Sequence, residues 1–308
     1  MTVHVLSAGM LTTVQDLGRF GYAHLGISPA GAADQLSCRI ANLLVGNSEN
    51  EPVLEMTMTG VTLAFENRTT VSLTGATVLG KHSVPLHMWG AMDMPAGAML
   101  ECSQIIQGAR AYLAVQGGIN VPVAMHSAST HLAARFGGRE GRALKSGDML
   151  ECGASPHGPV RALKPGFLAK IVGAGPIRIT QGVQWDWFEN HQIEILLTAE
   201  YMVSDQSNRS GLRLSGKAVT PKKREQLLTE GVSLGAIQIP PDGQPIILFV
   251  DQQTTGGYPK IANVIAADMN RIGQLRPRDE ISFELVTIEK AILLLQEQEQ
   301  MLREAFAQ

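Results

Sequence analysis

The side chains best suited to chemistry are concentrated in residues 235–261. In chain order they are Gln238, Asp251, Gln252, Gln253, Thr254, Thr255, Gly256, Gly257, Tyr258 and Lys260. A carboxylate, amides, hydroxyls, a phenol and an ammonium in one stretch suit the binding of a small polar molecule, and the two glycines leave the backbone free to adopt positive φ. An ordinary solvated loop is the alternative interpretation of so polar a stretch.

Two apolar, β-branched runs position these side chains. Residues 236–239 and 245–250 are separated by Pro-Pro-Asp-Gly at 240–243, which predicts two strands joined by a tight turn. The polar stretch begins at Asp251, where the second strand ends. We therefore expect the candidate site at the mouth of a buried strand.

A second polar stretch occupies residues 203–214 and contains Asn208, Arg209 and Arg213. Short hydroxyl and amide side chains there can turn several backbone N–H groups to one side, and the two guanidinium groups can add forks for a carboxylate or phosphate. A polar loop with two surface arginines explains the pattern equally well. Asp16 and Arg19 form a third, smaller polar group near the N-terminus.

Familiar phosphate and metal motifs are incomplete. Residues 75–82 approach the phosphate-binding loop, but His82 replaces the required hydroxyl and Pro85 opposes the helix that should follow. Histidines five residues apart occur without the spacing of a zinc motif, so we expect no metal site on this chain. Cys38, Cys102 and Cys152 lie in apolar patterns typical of buried structural thiols.

Composition narrows the class of protein. The chain has 308 residues, 44% of them hydrophobic and 17% charged, with a net charge of −3, which fits a globular protein and disfavours nucleic-acid binding. An odd count of 3 cysteines favours a reducing compartment, and we expect a cytoplasmic protein. We see no secretory signal and no apolar run of about 18 residues, so we expect no membrane span.

The elements are predicted to be mainly β with minor α, because 32 glycines and 15 prolines interrupt short apolar runs. A first helix is predicted to start at Ser28-Pro29 and to end at Gly46, and a closing helix carries Ile288, Ile292, Leu295, Leu302 and Phe306 at helical spacing. The Gly- and Pro-rich residues 153–166 predict a domain boundary, giving domains 1–160 and 161–308.

Six motifs in order along the chain resemble a known family. They are TTVQDLGR at 12–19, SPAGAAD at 28–34, IANLLVGN at 40–47, AVQGGI at 114–119, SNRSGLRL at 207–214 and TTGGYPKI at 254–261. Together they look like the family that includes the C subunits of bacterial 5-oxoprolinases, allophanate hydrolase subunit 2-like proteins and antagonists of the sporulation kinase inhibitor. The resemblance covers nearly the whole chain.

The resemblance implies two tandem cyclophilin-like β-barrel domains and a role in a complex. The partners would be a kinase-inhibitor-like B subunit and an A subunit. The complex would use ATP to open 5-oxoproline to L-glutamate, and the resemblance allows Mg²⁺ as a further cofactor. Similar sequences also occur in the carboxyltransferase domain of urea carboxylase, which moves a carboxyl group from biotin to urea. This chain has no biotinylation sequence with lysine between methionines, so that alternative needs a biotinylated partner. A binding protein without chemistry is a further alternative.

On this resemblance the lactam would be activated by phosphoryl transfer, and developing negative charge would need fixed donors and cations. We assign Lys260 and Arg209 to phosphate or oxyanion charge and Asp251 to a base or metal ligand. Substrate binding is assigned to Gln238, Thr254, Thr255, Gly256, Gly257, Tyr258, Asn208 and Arg213. Asp16 and Arg19 either join the same cleft or form an ion pair that braces the first domain.

Overall fold

A computed structural model describes residues 1–153, 158–168, 173–222 and 227–306. Contacts divide the chain into two units. The first contains Met1–Arg19, Ala30–Leu168 and Leu302–Gln308, and the second contains Phe20–Pro29 and Ala169–Met301. Strand outweighs helix, 34% against 19%, so the predicted mainly β class is confirmed.

The first unit has two antiparallel sheets of five strands each. Its strands are β1 (Thr2–Ser7), β2 (Leu11–Gln15), β3 (Val53–Thr57), β4 (Thr62–Phe65), β5 (Thr69–Val78), β6 (Gly90–Met94), β7 (Met99–Glu101), β8 (Ile105–Val115), β9 (Ile119–Asn120) and β10 (Met149–Cys152). The sheet orders are β7-β4-β1-β10-β9 and β2-β3-β8-β5-β6. Val3, Leu63 and Phe65 of one sheet and Leu54 and Leu113 of the other belong to a single hydrophobic core.

Helix α1 (Gln35–Leu44) starts later than the sequence predicts. Asp34 caps it, with the carboxylate accepting from the backbone N of Ser37 at 2.9 Å. The predicted start at Ser28 is wrong because Ala30 has a φ of 51° and breaks the helical path before the first turn. The predicted end is confirmed, since Gly46 adopts a φ of 77° and stops the helix.

The second unit is built on one sheet of eight strands. The strands of this unit are β11 (Ile177–Gln181), β12 (Tyr201–Val203), β13 (Gly211–Ser215), β14 (Glu230–Gly231), β15 (Ala236–Gln238), β16 (Ile246–Leu248), β17 (Thr255–Gly256), β18 (Lys260–Val264), β19 (Glu280–Ile281) and β20 (Phe283–Leu285). The order β19-β12-β13-β16-β15-β18-β11-β20 starts and ends with strands separated only by Ser282, so the sheet is a nearly closed barrel. Strands β14 and β17 form a separate ribbon of two strands.

The helices of the second unit are α2 (Asn190–Thr198), α3 (Met269–Gln274) and α4 (Ile288–Arg303), and the last of these continues into the first unit from Leu302. Short 3-10 turns cover Ala23–Leu25, Trp185–Trp187 and Ala266–Asp268 here, and Lys81–Ser83 in the first unit. The sequence also predicts a strand at residues 169–172, and these residues lie outside the described part of the chain.

The hairpin that carries the candidate site forms as predicted. Strands β15 and β16 pair antiparallel, with Ile237 opposite Ile247. The turn between them closes through the backbone N of Gly243, which donates to the carbonyl of Pro240 at 2.9 Å, with Gly243 at a φ of 75°. Both strands are short. Most of residues 249–259 therefore form the loop that contains the candidate site residues.

Helix α4 confirms the predicted closing helix but not a buried apolar face along its length. Ile288 and Ile292 are 65% and 52% exposed, whereas Leu302 is 3% exposed. Phe306 lies beyond the helix and pairs with Leu163 in an isolated β-bridge. Helical spacing therefore predicted the helix correctly, but it did not predict which of its residues are buried.

Candidate functional site

Lys260 is the centre of a polar cluster in the second unit. It opens strand β18 and is 4% exposed. A buried ammonium needs a charged partner, and its Nζ donates to Oε1 of Glu230, whose side chain is 41% exposed. The hydrogen bond from Lys260, and next that from Gln184, holds the pKa of the Glu230 carboxyl below its ordinary value of 4.5.

Gln184 ties the two charged residues together. Its Nε2 donates to Glu230 Oε1 at 2.7 Å, and its Oε1 accepts from the backbone N of Lys260 at 3.0 Å. The backbone N of Gln184 also donates to the carbonyl of Lys260 at 3.1 Å. Lys260 and Glu230 are therefore held by one buried amide side chain at fixed positions.

Gln238 adds an amide to the same cluster, because it stands opposite Lys260 in the β15–β18 pairing. Its side chain is 1% exposed, and its Oε1 accepts from Nε2 of Gln253 at 3.3 Å. Its Nε2 is buried and has no hydrogen-bond partner among the described residues. A buried donor left open in this way marks a place where a ligand can bind.

Gly256 is required for space rather than for backbone freedom. A Cβ at this position would lie 2.5 Å from Nε2 of Gln238 and 3.3 Å from a methyl of Val232. Neither Gly256 nor Gly257 adopts the positive φ that glycine permits, and Gly256 is part of strand β17. The missing side chain makes room for the Gln238 amide.

Backbone hydrogen bonds and the β14–β17 pairing position the other predicted residues of this loop. The carbonyl of Thr254 accepts from the N of Val232 at 3.0 Å, and Thr255 pairs with Gly231 across the ribbon. The side chains of Thr255 and Tyr258 are exposed. The loop thus lies beside the cluster, and the ribbon brings Glu230 opposite Gly256.

Arg209 and Asp251 form a buried ion pair in the same unit. Nε and Nη2 of Arg209 donate to Oδ2 and Oδ1 of Asp251 at 2.9 and 3.2 Å, and the backbone N of Asp251 donates to the Arg209 carbonyl at 2.9 Å. Such a two-pronged pair fixes both side chains. This geometry favours a role for the pair in bracing the start of the loop that leads to Gln253.

Asn208 and Arg213 are placed differently. Oδ1 of Asn208 accepts from the backbone N of Ser210 at 2.8 Å, which forms a local turn. Arg213 lies on the exposed side of β13 and lines a polar depression of about 210 Å³ together with Ser204 and Asp242. The sequence predicts one anion site formed by Arg209 and Arg213. In the structure Arg209 is buried and paired with Asp251, whereas Arg213 faces this depression.

Asp16 and Arg19 belong to the first unit and hold a loop there. The carboxylate of Asp16 accepts from Ser127 Oγ at 2.7 Å, from the N of Ala128 at 2.6 Å, and from Ser129 Oγ. The guanidinium of Arg19 donates to the carbonyl of Ser129 and lies 4.7 Å from the ring centre of Phe136. These contacts favour the interpretation that Asp16 and Arg19 brace the first unit, through the loop at residues 127–129.

The described residues contain no group of three or more His, Cys, Asp and Glu side chains arranged to hold a metal ion. In the same part of the chain no helix is long and apolar enough to cross a membrane. Both observations concern only residues 1–153, 158–168, 173–222 and 227–306.

Sequence reasoning missed Gln184 and Glu230. Gln184 lies 76 residues from Lys260 along the chain and Glu230 lies 30 residues away, so spacing gave no sign of either contact. One signal was available: a lysine at the start of an apolar strand, Lys-Ile-Ala-Asn-Val, is buried if the strand is buried and then needs an acidic partner.

Comparison with protein families gives one match over most of the chain. The family described as carboxyltransferase domain, subdomain A and B, matches residues 25–285. Among individual relatives, the 5-oxoprolinase C subunit of Escherichia coli K12 is 40% identical over 96% of this chain and 94% of its own length. The protein of the same description from Haemophilus influenzae is 36% identical over 96% of this chain and 95% of its own length.

Larger proteins contain a similar segment. Urea amidolyase of Saccharomyces cerevisiae is 30% identical over 96% of this chain but only 17% of its own length. The crystal structure of Kluyveromyces lactis urea carboxylase has a TM-score of 0.93 at 30% identity, covering 98% of this chain and 29% of that one. The structure of K. lactis urea amidolyase gives 0.92 at 30% identity and covers 20% of that chain.

Proposed function

The chain belongs to the family of the carboxyltransferase domain, subdomain A and B, and from that membership we propose that it acts as the C subunit of a 5-oxoprolinase complex. The observation that carries the proposal is the match to two proteins of that description, at 40% and 36% identity. Each match covers nearly the whole length of this chain and of the relative. A match over only 17% of urea amidolyase supports a shared domain rather than a shared whole protein.

The proposed reaction opens the lactam of 5-oxoproline to give L-glutamate, with ATP consumed by the complex. Phosphoryl transfer from ATP to the lactam oxygen would activate the carbonyl carbon. Water then adds to that carbon, the C–N bond breaks as the ring nitrogen takes a proton, and a second water hydrolyses the resulting acyl phosphate to glutamate and phosphate. ATP, with Mg²⁺ allowed, is bound within the complex, and the near-match to a phosphate loop on this chain does not fit a nucleotide. There β5 runs to Val78 and a short 3-10 turn follows, with His82 at a φ of 58°, so no helix N-terminus faces a phosphate.

This chain's own contribution is a site for the amide. Lys260 offers a positive charge next to the open Nε2 donor of Gln238, and both suit an amide oxygen on which negative charge develops. Glu230 and Gln184 hold Lys260 in place. Arg209 and Asp251 brace the loop, and Thr254, Thr255, Gly257 and Tyr258 border the site. The free thiols fit a cytoplasmic location.

The first experiment measures glutamate release from 5-oxoproline and ATP by this chain mixed with its A and B partners, with each omitted in turn. We expect release only when all three are present. Lys260→Ala and Lys260→Met are expected to lower the rate by about 100-fold or more while the complex still assembles, because one preorganised charge at a reacting oxygen contributes that much.

The matched control is Lys217→Ala, at an exposed position of the same unit, which should leave the rate unchanged. Full activity in both Lys260 variants would remove Lys260 from the site. Loss of the complex together with activity would instead indicate a binding protein without chemistry.

A second candidate function is carboxyl transfer to urea or another amide from a biotinylated partner. TM-scores of 0.93 and 0.92 to urea carboxylase and urea amidolyase support it. If no glutamate forms, and urea is consumed only when a biotinylated carrier, a biotin carboxylase, bicarbonate and ATP are supplied, this function replaces the first.

A further inference from the structure

The polar depression that Arg213 lines shares no lining residue with the Lys260 cluster. Its volume is about 210 Å³, below the range of drug-sized pockets, so it suits a small molecule. One cation and one anion are among the side chains around it. The polar lining residues are Ser204, Gln206, Arg213, Ser215, Asp242 and Gln244.

Strand β13 contributes Arg213 and Ser215 to the depression. The side chains of this strand alternate, so that Leu212 and Leu214 are buried while Arg213 and Ser215 are exposed on the opposite side. Arg213 stands opposite Ile246, a further lining residue, in the β13–β16 pairing. The strand therefore presents Arg213 outward, towards the depression.

The turn at residues 204–207 is tied to β13 by hydrogen bonds. The backbone N of Ser204 donates to the carbonyl of Arg213 at 2.8 Å, and Oγ of Ser207 accepts from the backbone N of Arg213 at 3.0 Å. Oγ of Ser204 accepts from the backbone N of Gln206 at 3.2 Å. This side of the depression is therefore preformed.

The turn at residues 240–244 is tied to the end of the same strand. The backbone N of Gly216 donates to Oε1 of Gln244 at 2.9 Å, and Nε2 of Gln244 donates to the carbonyl of Gly216 at 3.3 Å. Oδ1 of Asp242 accepts from the backbone N of Gln244 at 3.1 Å. Asp242 is thus held at a defined position beside β13.

Arg213 and Asp242 line the same depression without neutralising each other. Within the described residues the hydrogen bonds of Arg213 involve its backbone, and its guanidinium forms no ion pair there. The Asp242 carboxylate accepts from a backbone N–H rather than from a cation. A cation and an anion that line one small space and are not paired can each bind a ligand group of opposite charge.

We propose that this depression binds a free α-amino acid, with Arg213 donating to its carboxylate and Asp242 accepting from its ammonium. An α-amino acid carries these two charges on one carbon, within the reach of so small a site. A phosphate or a dicarboxylate would place a like charge beside Asp242, which disfavours it.

This inference stands apart from the proposed function, because it uses no residue of the Lys260 cluster. It adds a second binding site to the chain. A lactam has no ammonium, so the site distinguishes a free amino acid from the lactam that the same amino acid can form.

The test is an NMR titration of the full chain, labelled with ¹⁵N, that follows the side-chain amide of Gln244. The probes are L-alanine, propionate and ethylammonium, since propionate is alanine without the ammonium and ethylammonium is alanine without the carboxylate. We expect L-alanine to bind with a Kd of about 1 mM, and each of the other probes at least about tenfold more weakly, because each loses one charge-assisted contact.

Two variants separate the two contacts. Arg213→Gln is expected to weaken L-alanine by about tenfold and to leave ethylammonium unchanged. Asp242→Asn keeps an oxygen for the backbone N of Gln244, and it is expected to weaken L-alanine by about tenfold and to leave propionate unchanged.

The matched controls are Arg303→Gln and Asp186→Asn, which make the same changes at exposed positions and should leave all three affinities unchanged. Equal weakening by these controls would indicate attraction by overall charge and would reject the site.

The proposal is overturned if L-alanine binds no more tightly than propionate or ethylammonium, or if it shifts no Gln244 signal up to about 50 mM. Its outcome is independent of the proposed function. Binding of L-alanine with the expected variant pattern supports the site whether or not the complex releases glutamate.

Discussion

Gly256 shows how one absent side chain supports the candidate site. Gly256→Ala is expected to push the Gln238 amide aside, since the new methyl would lie 2.5 Å from its Nε2. We expect at least about a tenfold rise in KM for 5-oxoproline, because the donor loses its alignment, and a stability loss of about 1–3 kcal/mol from overpacking. Steady-state kinetics of the complex and urea unfolding of the chain measure the two effects.

Gly231 gives the control for that substitution. It lies in β14, the strand paired with the one that contains Gly256, and a Cβ there would meet nothing within 4 Å. Gly231→Ala should therefore leave KM unchanged. Equal effects of the two substitutions would mean that the ribbon itself, and not the space beside Gln238, determines activity.

The cysteines supply a second prediction at this scale. Cys38, Cys102 and Cys152 are free and buried. Burial raises the pKa of Cys102 and of Cys152 to about 12, and burial with nearby carboxylates raises that of Cys38 well above its ordinary value. We expect no reaction of the native chain with Ellman's reagent at pH 8 and reaction of all three thiols in denaturant. Rapid reaction of the native chain would contradict this burial.

Residue types along the sequence identified Lys260 and Gln238 as candidates, and the structure places them opposite each other. They did not identify Glu230, because its neighbours Thr229 and Gly231 carry no sign of a site and its contact with Lys260 is made by folding. The residue types also suggested that Arg209 binds an anion. In the structure its guanidinium instead pairs with the carboxylate of Asp251, 42 residues away along the chain. Long-range pairing of charges is the information that a single sequence lacks.

At the scale of elements, helix α4 allows a matched comparison of exposed and buried leucine. Leu293 is 45% exposed and Leu302 is 3% exposed. Leu302→Ala is expected to lower the free energy of unfolding by about 2–5 kcal/mol, because it leaves a cavity, whereas Leu293→Ala should change it by less than about 0.5 kcal/mol. Urea unfolding of both variants is the measurement, and similar losses would contradict the exposure of the middle of the helix.

Elements with strong local signals could be predicted and those set by tertiary contacts could not. Pro240 and Gly243 determine the turn between β15 and β16, and Gly46 ends α1, so both appear in the sequence. The start of α1 depends on Ala30, whose positive φ has no signature in its residue type. The apolar spacing of α4 specifies a helix, but the partner of each face depends on the rest of the fold.

At the scale of the whole molecule, the free energy of unfolding should fall in strong acid because Asp148 becomes protonated. Arg142 Nη1 and Nη2 donate to its carboxylate at 2.7 and 2.8 Å, and chiefly through these bonds its pKa falls from 3.8 to about 2. A lowered pKa means that the stabilisation is complete above pH 3.8 and is lost as the pH falls toward 2. This pKa shift of Asp148 corresponds to about 2 kcal/mol in the free energy of unfolding.

Asp148→Asn is therefore expected to lower the free energy of unfolding by about 2 kcal/mol at pH 7, and the difference from the unchanged chain should shrink toward pH 2. Denaturant unfolding across that range measures it. Asp93→Asn is the control, since its pair with Arg68 is exposed, at 52% and 75% for the two side chains, and should contribute little. A difference that stays constant with pH would show that the carboxylate charge is not responsible.

The near-closure of the eight-stranded sheet limits how a partner can bind the second unit. Among the described residues only β19 and β20 lie at its ends, and they contain two and three residues. An incoming chain that adds itself as a further strand needs a longer row of unpaired backbone groups than these offer. Any protein that associates with this barrel must recognise side chains and loops, so single surface substitutions can disrupt the assembly without disturbing the sheet.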